Sequence, residues 1–255
     1  MSSSPVVTPV GRIEYYYNIV IIWPAMRTTD LRAARVAKEW SQVEAAQRLG
    51  VSQPYLAMLE RGQRRLTPKL ARRAAKLYDL APTAVPRSQR ELPARLNAAT
   101  LARDLASFGC PGLAYLRPRH WTPKNPGEVL LSALAQDDLE PRLVEALPWL
   151  VLRYSTLDWS WVVREAKIHD LQNRLGFVVD LARQLAGRIG DESKARSLVD
   201  LEAQLDRSRL ARQDTLCRAA LPEAERRWLA EHRPEAAKRW NLLTDWTADA
   251  LRYAV

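Results

Sequence analysis

The chain has 255 residues, 47% apolar and 27% charged, which excludes a disordered polymer and allows one large domain or two ordinary ones. Its net charge of +10 is local: residues 27–90 hold 14 Lys and Arg against five Asp and Glu, whereas residues 91–255 hold 24 against 23. Two distant cysteines, Cys110 and Cys217, and three scattered histidines exclude a disulfide framework and a zinc site, and no apolar run approaches the ~20 residues that span a bilayer.

In chain order, residues 1–26 stand apart as an N-terminal arm or a non-native extension. IEYYYNIVIIW crowds aromatic and β-branched residues and reads as a strand. Three readings stay open: a dangling arm, a strand swapped within a dimer, or an extension ahead of a true start at Met26. MSSSPVVTPV lacks the basic stretch and apolar core of a signal peptide, so the expected location is the cytoplasm, where both thiols stay reduced.

Residues 27–82 read as short helices, each with its own start and stop. Asp30 is the expected cap of the first. Ser41, followed by Glu44, makes a capping box for the second, which Gly50 ends. Ser52 caps the third, with Pro54 in its first turn and Gly62 beyond its end. Thr67 and Pro68 start a fourth, running to about Tyr78. Residues 83–96 are proline-punctuated and read as a linker.

Residues 97–255 read as a helical bundle, giving an all-α chain in which strand-type runs are otherwise nearly absent. The spacing predicts one long helix over 158–189, with Leu171, Leu175, Val178, Ala182, Leu185 and Ile189 in a heptad-like seam suited to dimerisation. A further helix near Asp191 lines up Leu198, Leu201 and Leu205. Pro148 is expected to interrupt or kink ALPWLVLRY, and Asn125-Pro126 to start a helix after a proline-rich loop. Glu165, Lys167, His169 and Asp170 lie close in sequence, but residues two apart on a helix point different ways. With no nucleotide-binding glycine loop and no Gly-x-Ser-x-Gly, no enzyme, cofactor or metal is expected.

The stretch SQVEAAQRLGVSQPYLAMLERGQRRLTPKLARRAAKLYDL resembles the Cro/phage-repressor-like (XRE) helix-turn-helix family, over Leu31 to Pro82. The resemblance implies the five-helix arrangement of lambda-repressor-like domains. Ala46 at a tight helix crossing, Gly50 in the turn, and Val51, Leu56 and Leu59 as apolar contacts are structural. Ala45 departs from the leucine common in relatives and trims the core.

The resemblance also implies a DNA-binding face. Ser52, Gln53, Pro54, Tyr55 and Met58 meet base edges, Gln53 with the bidentate geometry that suits adenine. Gln42 matches a phosphate-contacting glutamine at a helix N-terminus, which favours an anion. Arg61, Arg64, Arg65 and Lys69 are backbone clamps. Arg35 and Glu60 correspond to an ion pair that positions the third helix. The cationic surplus in this segment agrees with polyanion binding.

These readings imply a sequence-specific, double-stranded DNA-binding transcription regulator, a repressor on a pseudo-palindromic operator, acting as a homodimer. The alternative comes from LRPRHWTPKNPGEVLLSAL, which faintly resembles companion proteins of nucleotidyltransferase-type toxins. It implies an antitoxin whose residues 97–255 bind a toxin while the first domain regulates the operon.

Overall fold

The computed structural model describes residues 28–85, 87, 97–119 and 124–251, with side chains from Leu31 onward. The strand expected over IEYYYNIVIIW, the 1–26 arm and most of the 83–96 linker lie outside the described residues.

The first group of helices is α1 (Thr28–Ala37), α2 (Gln42–Leu49), α3 (Gln53–Glu60) and α4 (Pro68–Leu77). The fifth helical element is a single 3-10 turn, Pro82–Ala84. Helix α1 begins two residues ahead of Asp30, which therefore sits inside the helix instead of capping it. Ser41 caps α2, its Oγ accepting from Glu44 N at 3.1 Å. The capping box is one-sided, because the Glu44 carboxylate turns to Arg48 one turn on, at 2.8 Å. Gly50 closes α2 in the left-handed region at φ 64°, and Val51 N donates to Ala46 O behind it. A Cβ on Gly50 would lie 2.8 Å from Arg73 Nη1, a mobile side-chain end that can shift, so it is the left-handed backbone that favours glycine here. Ser52 and Thr67 cap α3 and α4 through their hydroxyls. The core between these helices is made of Leu31, Leu49, Leu56 and Leu59 with six alanines, Tyr78 and Val85.

The second group is α5 (Ala98–Ser107), α6 (Pro126–Leu134), α7 (Pro141–Arg153), α8 (Trp159–Ile168), α9 (Gln172–Arg188), α10 (Glu192–Asp206), α11 (Glu223–His232) and α12 (Glu235–Arg239). A separate apolar core joins all of these but α11, whose Leu229 packs with Leu221 and Leu243 in a small cluster of its own. Among the described residues sheet is confined to a short parallel pair, β1 (Asp214–Thr215) with β2 (Leu242–Leu243). Helix α7 runs through Pro148 without stopping, and the proline itself is buried.

The long helix expected over 158–189 is two helices. Asp170 adopts φ 57°, and Leu171 N donates back to Ala166 O at 2.7 Å, which ends α8 before α9 begins. Aspartate tolerates the left-handed region better than most residues, so the break needs no glycine. The seam is also reassigned. Leu171, Leu175, Val178, Ala182 and Leu185 are each at most 6% exposed inside this chain's own core, while Ile189 ends the helix 45% exposed. Helix α9 is the bundle's central helix, buried on all sides along its first three turns. A stripe already sealed by its own chain is not a dimer seam.

Polar residues anchor the start of α9. Arg174 donates to both Asp214 oxygens at 2.7 and 3.0 Å and to the carbonyls of Leu134 and Gln136. Burial alone would raise the Asp214 carboxyl, but the Arg174 guanidinium outweighs it and holds the group below the usual carboxylate range. Asn173 exchanges two hydrogen bonds with the Leu210 backbone. One turn on, fully buried Trp240 lies flat against Gly176, where a Cβ would come within 2.2 Å of the indole.

Candidate nucleic-acid interface

Helices α2 and α3 and the turn between them bring their N-termini to one side of the first domain. Gln42 is the first residue of α2 and Gln53 the first of α3. Their side chains meet: Gln53 Nε2 donates to Gln42 Oε1 at 2.9 Å. Gln42 Nε2 in turn donates to Glu60 Oε2 at 2.9 Å. An ionised carboxylate only accepts, so Glu60 forces Gln42 to present its nitrogen inward and its oxygen to Gln53.

Glu60 is held from the other side by Arg35. The guanidinium donates through Nε to Oε1 at 2.7 Å and through Nη2 to Oε2 at 3.0 Å, and its Nη1 donates to Trp40 O. The pair is well shielded, with the side chains 12% and 3% exposed. Burial pushes the Glu60 carboxyl up, but the hydrogen bonds from Arg35 and Gln42 and the Arg35 charge pull it below its ordinary value. The hydrogen bond to Glu60 raises Arg35 against the opposing effect of burial. Beneath them, burial and the Glu60 charge push the Tyr78 hydroxyl up to about 12.

The result is a relay, Arg35–Glu60–Gln42–Gln53, running from the domain interior to its surface. One Gln53 amide hydrogen goes to Gln42. Its second amide hydrogen and its carbonyl oxygen have the donor and acceptor capacity that bidentate adenine recognition uses. The relay borders an open cleft of about 450 Å³ between α1, α2 and α3, also lined by Arg32, Ala57 and Arg61.

The other expected contacts fall around this cleft in different ways. Ser52 and Pro54 are exposed, and Met58 is half-exposed on the outer side of α3. Tyr55 is half-buried, its ring packed against the domain core. Arg61 donates to Ala57 O, which lays its guanidinium along α3. Arg64, Arg65 and Lys69 are exposed on the turn after α3 and the first turn of α4.

Two features escaped the sequence reading. Arg32 lines the cleft, three residues before Arg35 and so on the same face of α1, a spacing that was legible. The Gln42–Gln53 bond joins residues eleven apart across the turn, and no local pattern announces it. Away from this face, Glu165 pairs with its neighbour Arg164, and His169 and Asp170 lie past the end of α8. Among the described residues, no group of three or more His, Cys, Asp or Glu is placed to hold a metal ion.

Two helices crossing at small residues, a left-handed glycine turn, and a third helix with an open polar N-terminus define a helix-turn-helix of the Cro/phage-repressor-like type. Residues 31–85 match the helix-turn-helix family model, and this match supports a DNA-binding transcription regulator. No curated protein and no solved structure matches the chain. No helix among the described residues is long and apolar enough to cross a membrane.

Proposed function

We propose that the chain is a cytoplasmic repressor that inserts α3 into the major groove of an operator, with no catalytic role for its second domain. Gln53 reads one base pair, and Ser52, Pro54, Tyr55 and Met58 flank it. Gln42 and the α2 N-terminus take a phosphate, while Arg61, Arg64, Arg65 and Lys69 hold the backbone. The observation that carries this reading is the relay, which ties the base-reading glutamine to a buried ion pair and so fixes its orientation before DNA arrives. A preformed contact loses less conformational freedom on binding than a mobile side chain would.

The protein acts as a homodimer, which sets two α3 helices about 34 Å apart, one DNA turn, on a pseudo-palindromic site. Since the leucine seam of α9 is used internally, the dimer contact lies on other surfaces. The buried thiols of Cys110 and Cys217, pushed by burial up to about 11 and about 12, are unreactive in a reducing cytoplasm. Selection of bound fragments from a random double-stranded library, followed by sedimentation of the complex, tests the whole reading. Enrichment of a two-fold symmetric sequence holding two chains is expected. No enrichment even in dilute buffer overturns it.

A further inference from the structure

The chain leaves the first domain through a segment that the second domain grips. Val85 is 1% exposed, its side chain in the core of the first domain. Its carbonyl oxygen accepts from Asn125 Nδ2 at 2.9 Å, and the Thr83 carbonyl accepts from the same nitrogen at 3.3 Å. Asn125 is itself 8% exposed, and its Oδ1 caps α6 by accepting from Gly127 N. Two residues past Val85, Arg87 donates to Asp158 Oδ2 at 2.6 Å, with its guanidinium 4.8 Å above the Trp161 ring. The other Asp158 oxygen caps α8 by accepting from Trp161 N.

Two helix caps of the bundle thus do a second task with the other end of the same side chain. A cap needs only an acceptor oxygen, which Ser, Thr or Asp supplies equally well. The amide donors of Asn125 are surplus to capping, and here they are spent on the connector. The two caps are neighbours: a Cβ on Gly127 would lie 3.1 Å from Val162 and 3.3 Å from Trp161.

We infer that Asn125, Asp158 and Trp161 form an interdomain latch that closes on Thr83, Val85 and Arg87 and holds the helix-turn-helix domain in one orientation on the bundle. The latch does not depend on what DNA the first domain reads. It makes the faces of α6 and α8 the place from which the bundle governs the first domain.

Nitrogen-15 relaxation on the full chain, without DNA, tests it. In the native chain, residues 31–85 and the bundle share one rotational correlation time. In the double variant Arg87→Ala, Asn125→Asp, the first domain tumbles faster than the bundle. Neither change removes a cap, because aspartate keeps the acceptor that Gly127 needs, so amide protection at the start of α6 is retained. Arg87→Ala alone, which leaves in place the Asp158 oxygen that caps α8, shortens the first domain's correlation time by a smaller amount. Two correlation times in the native chain, or a single one in the double variant, overturn the latch.

Discussion

The two cores hold their helices by opposite means. Half of the twelve buried members of the first core are alanines, so its helices lie close but little apolar area is sealed between them. Its precision comes from a polar clip, Arg35 with Glu60, that reaches the surface through Gln42 and Gln53. The second core is mainly leucine and valine around α9, with phenylalanine, tryptophan and a smaller share of alanine than the first, and polar anchors such as Arg174 fasten loops at its edge. The difference separates two tasks. A domain that reads a polymer must keep hydrogen-bonding groups oriented yet open. The bundle closes over every face of the first three turns of its central helix.

The sharpest test of that contrast truncates each core at its own device. Phe177→Ala, at a fully buried site on α9, is expected to destabilise the bundle by about 3–5 kcal/mol in urea unfolding. The loss should appear in probes of the bundle. Glu60→Ala leaves Arg35 without its partner and should cost the first domain about 3 kcal/mol. A loss near zero would mean that the alanine core needs no clip.

The Glu60 carboxyl is held below its ordinary value in the folded chain. Its contribution is therefore whole above the usual carboxylate range and fades as pH falls through the lower, folded value. Glu60→Gln should flatten the acid limb of the first domain's stability curve. An unchanged limb would show that another carboxylate sets it.

Smaller effects probe the reading face. Gln53→Ala should cost about 1–3 kcal/mol at a single base pair while binding to random DNA stays level. Equal losses on both would remove Gln53 from base reading. Arg64→Ala and Lys69→Ala should weaken binding to all sequences alike and lower the salt slope by about one each. Measured by fluorescence anisotropy across a salt series, an unchanged slope would take that residue off the phosphate backbone.

Much of the first domain was legible because its signals are local. Ser41, Ser52 and Thr67 each cap within three residues, and Gly50 must be where the chain turns left-handed. The bundle was harder because its decisive contacts are distant in sequence. Arg174 finds Asp214 forty residues on, and Asn173 finds Leu210 across thirty-seven. Gln172, Asn173 and Arg174 look like surface residues by type, yet all three are buried. The apolar period of the seam begins only at Leu171, past Asp170, so it says nothing about the break between α8 and α9. The same period suggested a dimer seam, since regular leucine spacing does not reveal whether the covering partner is a second chain or this one.

Gly176 and Trp240 give that distance a consequence in time. On the ribosome the first domain has all of its core residues once Val85 has emerged, and domains made first fold first. Helix α9 is synthesised with an open notch at Gly176, and the indole that fills it is translated more than sixty residues later. A nascent chain thus carries a finished DNA-reading head ahead of an unsealed body. Closure of the body waits until Trp240 has been made.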